Sequence, residues 1–157
     1  MAAVDWAVRK NLPQLGFTAL KETIVTYMCE RYQVPAEDRT VRNTTVWDIL
    51  RDMARQYEVL EKRGETHMDR KWFCDHKLMT TPYRAELSCM IREIPEELLD
   101  VTVRIMRFRD ALNDFGFSEN EKEGDILTWR EIQEQLRDFR ETLKRIMEEQ
   151  GVSFEIN

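Results

Sequence analysis

Glycine and proline are scarce in this chain, with five and four among 157 residues. Both interrupt regular backbone, so their scarcity argues for helices over a β fold with many turns. Long apolar runs are missing too: no window approaches the run of about 18 apolar residues that reads as a membrane span. Serine is limited to Ser88, Ser118 and Ser153, none in the G-x-S-x-G turn that exposes a nucleophile. No glycine pair forms G-x-G or a Walker loop, so no phosphate cradle of backbone amides is encoded. Neither His67 nor His76 follows a glutamate by three residues, the spacing that aims two metal ligands from one helical face. Three cysteines, Cys29, Cys74 and Cys89, make an odd and sparse set, and Asp5, Arg9 and Lys10 interrupt any apolar leader. Reduced thiols in the cytoplasm or nucleus are the expectation.

What the chain does contain is an ordinary core and much charge. Apolar residues form 42% and charged residues 34%, a balance typical of folded globular domains. At this size folding buries roughly 68–70% of the unfolded surface, so one helical domain over residues 1–157 is expected. The net charge of −6 is uneven, with nine Lys/Arg against 17 Asp/Glu in residues 93–157. That acidity disfavours nonspecific binding to nucleic acid or to an anionic membrane.

Apolar spacing predicts the elements. A short helical turn is expected over residues 4–11, then a helix after Thr18 carrying Leu20, Ile24, Tyr27 and Met28 and ending before Pro35. Thr45 is placed as the N-cap of a third helix, with Val46, Ile49, Leu50, Met53, Tyr57 and Leu60 as its stripe and Gly64 at C′. A short helix is expected over Arg70–Lys77, and Thr81-Pro82 is read as the start of another that runs to Ile94.

The strongest pattern is C-terminal. Leu98, Val101, Ile105, Phe108, Leu112 and Phe115 are spaced alternately three and four apart, with Gly116 after them. Leu99, Val103 and Met106 add a second stripe, which places this helix centrally. Thr128-Trp129-Arg130-Glu131 forms a capping box, followed by a seam of Trp129, Ile132, Leu136, Phe139, Leu143 and Ile146 and a closing Gly151. This helix is otherwise charged and belongs outside. The fold expected is all-α: a bundle of five or six helices with a heptad-patterned C-terminal helical hairpin. The tail Val152-Ser153-Phe154-Glu155-Ile156 alternates as a short strand or an extended docking peptide does.

Candidate chemistry is thin. His67, Cys74, His76 and Cys89 are the right types for zinc, but Cys74 and His76 stand two apart and diverge on a helix. No metal and no cofactor is therefore expected. Cys74, beside Lys71 and Asp75, is the lone candidate thiol nucleophile. Arg104, Arg107 and Arg109, with Arg70, Lys71 and Trp72 upstream, resemble a basic face with a stacking aromatic for nucleic acid. Asp100 and Asp110, within a turn of these arginines, give ordinary helical ion pairs as the competing explanation. Trp47 and Trp129 fit core stripes, whereas Trp6 and Trp72 fit none and suit an interface. The pattern as a whole implies no enzyme but a protein–protein interaction module, an adaptor, regulator or assembly component. Its partner surface is placed on the Trp129–Ile146 seam, where two copies can form a homodimer. Nucleic-acid binding through the arginine face is the alternative.

Overall fold

The computed structural model describes residues 1–65, 67–113 and 129–152. Those residues form seven α-helices and no strand. They are α1 (Ala2–Lys10), α2 (Pro13–Arg31), α3 (Trp47–Lys62), α4 (Arg70–Lys77), α5 (Arg84–Glu93), α6 (Glu96–Asn113) and α7 (Trp129–Glu149), with a π-helical turn at Val41–Val46 leading into α3. The all-helical class agrees with the sequence; the count exceeds the five or six expected. Phe115, Gly116, Thr128 of the capping box, the Trp129 side chain and the tail from Ser153 lie outside the described residues.

The chain groups into two compact units, Met1–Thr23 with Arg104–Asn157, and Ile24–Val103. In the first unit, Val4 and Ala7 bury one face of α1, and Asn11 ends the helix in the left-handed region at φ 60°. Asparagine tolerates that conformation better than most residues. Helix α2 then begins at Pro13, where the missing N–H costs nothing and the fixed φ already suits a helix. Gly16 admits α7 closely, since a Cβ there would stand 2.3 Å from Leu136 Cδ2. The centre of this unit is an aromatic triad. Phe17 stacks on Phe108 at 5.5 Å, and Phe139 meets both edge-on at 6.0 and 5.6 Å. Edge and offset contacts of this kind add to simple area burial. Arg140 of α7 donates two hydrogen bonds to Asp5, at 2.8 and 3.2 Å, and fixes α1 against α7.

In the second unit the helical run that leads into α3 starts earlier than the Thr45 cap suggests, with the π-helical turn at Val41–Val46. Thr45 sits inside the π-helical turn, and Asp38 supplies the cap instead, its Oδ1 accepting from the Thr40 and Val41 amides at 2.8 and 3.1 Å. Bonding from i to i+5 widens the turn and lets Val41 and Val46, five apart, both be buried. Helix α4 has the bounds expected of it, with Asp69 as N-cap accepting from the Trp72 amide at 2.9 Å. Helix α5 begins at Arg84 after a Pro82-Tyr83 turn, two residues later than the Thr81 cap implies. Leu98, Leu99, Val101, Thr102 and Val103 are all buried, so this stretch of α6 is covered over both of its apolar stripes, while Asp100 is half-buried. Thr102 is tolerated there because its hydroxyl donates to the Leu98 carbonyl at 2.7 Å.

Candidate interaction surfaces

The heptad seam of α7 meets its own chain. Leu136, Phe139, Leu143 and Ile146 are at most 2% exposed, and Ile132 is half-buried. Leu136 stands over Gly16, and Phe139 packs against Phe17 and Phe108 of the same unit. Two exposed surfaces bearing on Leu and Phe side chains would leave apolar area in water, and folding α1, α2 and α7 together removes it. The flank of the seam is committed as well. Arg140, which pairs with Glu141 within α7, is also bound by Asp5 of α1, and the hydrogen bond to Asp5 raises its pKa.

The basic face is divided. Arg104 and Arg107 are exposed on α6, with the Arg104 guanidinium 4.9 Å from the Phe139 ring centroid and 3.4 Å from Gln135 Oε1. Arg109 is half-buried with Asp110 at 3.8 Å. Those three belong to the first unit, whereas Arg70, Lys71 and Trp72 belong to the second. Arg70 is not free for a phosphate. Its Nη1 donates to the carbonyls of Ile91, Arg92 and Ile94 at 2.9–3.0 Å, closing the C-terminus of α5. A guanidinium suits those carbonyls in both hydrogen bonding and dipole. Lys71 is exposed, and Trp72 is 44% exposed, stacked on His76 at 4.5 Å.

Thiol and imidazole groups are scattered. Cys74 is buried with its Sγ 3.5 Å from Ser88 Oγ, while Cys89, His67 and His76 are exposed. Burial pushes the Cys29 thiol up, away from the thiolate a nucleophile needs. Among the described residues no three His, Cys, Asp or Glu side chains group to hold a metal ion, and no helix is long and apolar enough to cross a membrane.

One cleft of about 410 Å³ lies in the second unit, lined by Thr44, Thr45, Asp48, Arg51, Lys77 and Thr80 among others. Its charges satisfy one another. Arg51 reaches Asp48 at 2.8 Å and Asp52 at 3.4 Å, and Lys77 reaches the other Asp52 oxygen at 2.5 Å. Burial pushes the Asp52 carboxyl up, but Lys77 and then Arg51 outweigh it, and the group titrates below its ordinary value. Among the described lining residues the charged side chains are thus paired with one another.

The exposed apolar side chains lie elsewhere. Trp6, Leu12 and Leu15 are 46%, 39% and 52% exposed within ten residues of chain, around the turn from α1 to α2. Trp6 was legible as a residue without a stripe; the two leucines were missed. No protein-family model matches the chain, and no curated protein or solved structure does.

Proposed function

We propose that this protein is a non-enzymatic interaction module, an adaptor, regulator or assembly component, that binds a protein partner through the turn between α1 and α2. The observation that carries this reading is the exposure of Trp6, Leu12 and Leu15 on two consecutive helices whose other faces are held in the fold. A half-exposed tryptophan beside aliphatic side chains is the composition of an interface hot spot. Solitary exposed apolar residues need no explanation, but a group within ten residues does. The paired charges of the cleft and the buried Cys29 and Cys74 speak against a catalytic role.

The test is capture from cell extract by wild type and by a Trp6→Ser/Leu15→Ser variant. The variant is expected to fold, because Trp6 and Leu15 are about half exposed, and at least one protein is expected to be retained by wild type alone. Equal capture by the two, or retention of RNA that weakens steeply with salt, contradicts the reading and favours the Arg104/Arg107 face.

A further inference from the structure

The open face of α1 carries charge of a single sign. Its solvent-facing residues are Ala2, Ala3, Trp6, Arg9 and Lys10, and helical spacing puts Arg9 and Lys10 one turn from Trp6. The one acidic residue of α1, Asp5, is held by Arg140 at 2.8 Å on the inner side and does not neutralise that face. Residues 11–18 add Leu12 and Leu15 and no charge at all. An acidic chain with net charge −6 thus presents a basic, aromatic and aliphatic corner.

We propose that this corner docks an acidic amphipathic helical segment of a partner protein, an inference that rests on the interaction-module reading and names the partner's chemistry. Leucine-like side chains of such a segment cover Trp6, Leu12 and Leu15, and its carboxylates reach Arg9 and Lys10. Other occupants fit less well. Nucleic acid satisfies Arg9, Lys10 and the Trp6 ring, but phosphates and base edges leave two leucines without apolar cover. An anionic bilayer calls for a broader apolar face, and α1 has nine residues with Val4 and Ala7 turned into the fold. A second copy of this chain packed symmetrically would set Arg9 and Lys10 against themselves. The pair also closes the last turn of α1, where cations complement the helix dipole. That local role does not account for the exposed apolar residues beside it.

Chemical-shift mapping on the intact ¹⁵N-labelled chain tests this. The probes are a synthetic amphipathic peptide with Leu and Phe on one face and Glu on the other, the same peptide with Lys for Glu, phosphatidylserine vesicles, and poly(U). The acidic peptide is expected to shift amides of residues 2–18, and added salt to weaken it. Arg9→Gln/Lys10→Gln should weaken it at least tenfold while the chain stays folded, as the unshifted amides of residues 24–103 report. Failure of the acidic peptide to move those amides overturns the inference, as does equal movement by the lysine peptide, the vesicles or poly(U). Extract capture separates the two readings. A partner lost with Trp6→Ser/Leu15→Ser but kept by Arg9→Gln/Lys10→Gln overturns the acidic partner while the interaction module stands.

Discussion

Gln33 holds a left-handed backbone at φ 55° just past α2, and the Val34 amide returns to the Cys29 carbonyl at 2.9 Å. The same closure recurs after α1 at Asn11, after α3 at Gly64 and after α7 at Gly151, with Leu12, Glu65 and Val152 amides reaching back to Ala7, Leu60 and Met147. Gly64 and Gly151 were legible as helix ends because glycine is the residue that adopts this conformation without steric cost. Asn11 and Gln33 were not, since tertiary packing imposes on them a turn their side chains merely tolerate. Replacing Gln33 by Gly should therefore stabilise the protein by about 0.5–1 kcal/mol in urea denaturation, relief of a left-handed side chain exceeding the added backbone entropy. Gly16 carries the opposite expectation. Gly16→Ala pushes a methyl group into Leu136 and should cost about 1–3 kcal/mol. Asp52 makes a pH prediction. Its folded pKa lies below the ordinary value, so its contribution is complete above about pH 4 and is lost as pH falls through the folded pKa. Wild type should be more stable than Asp52→Asn at pH 7, and thermal melts of the two should draw together as pH falls below about 4.

Helices with long apolar periods were readable as elements, and α7 begins at Trp129 as its capping box indicates, but the starts of α3 and α5 were not readable. The two apolar stripes of α6 were readable, and Leu98, Leu99, Val101 and Val103 are buried as both stripes require. Thr45 is a favourable N-cap by residue type, whereas the capping role of Asp38 depends on a π-helical turn with no sequence signature. Arg70 shows the same limit for a site residue. Beside Lys71 and Trp72 it reads as part of a basic patch, and only folding reveals that it reaches Ile91, Arg92 and Ile94 some twenty residues on. Arg70→Met should cost about 1–3 kcal/mol by leaving carbonyls at the end of α5 without their donor. Its RNA retention on a column should match wild type. A change in retention with unchanged stability would return Arg70 to a binding role.

For the whole molecule, the all-helical class was fixed by composition and period, whereas the destination of the α7 seam was not. A stripe of three-four spacing serves a second copy or the same chain equally well, and the residues that decide, Gly16, Phe17 and Asp5, lie more than a hundred positions away. The exposed corner at Trp6, Leu12 and Leu15 was legible only in its tryptophan, because isolated leucines near a turn carry no pattern. If the seam is internal, unfolding is a property of one chain and its midpoint does not depend on how much protein is present. The direct measurement is the urea midpoint of the intact protein across a hundredfold range of concentration. An invariant midpoint is predicted; a midpoint that rises with concentration, as mass action requires when folding is coupled to dimer formation, would place the seam of α7 between two copies and contradict its packing on Phe17 and Phe108.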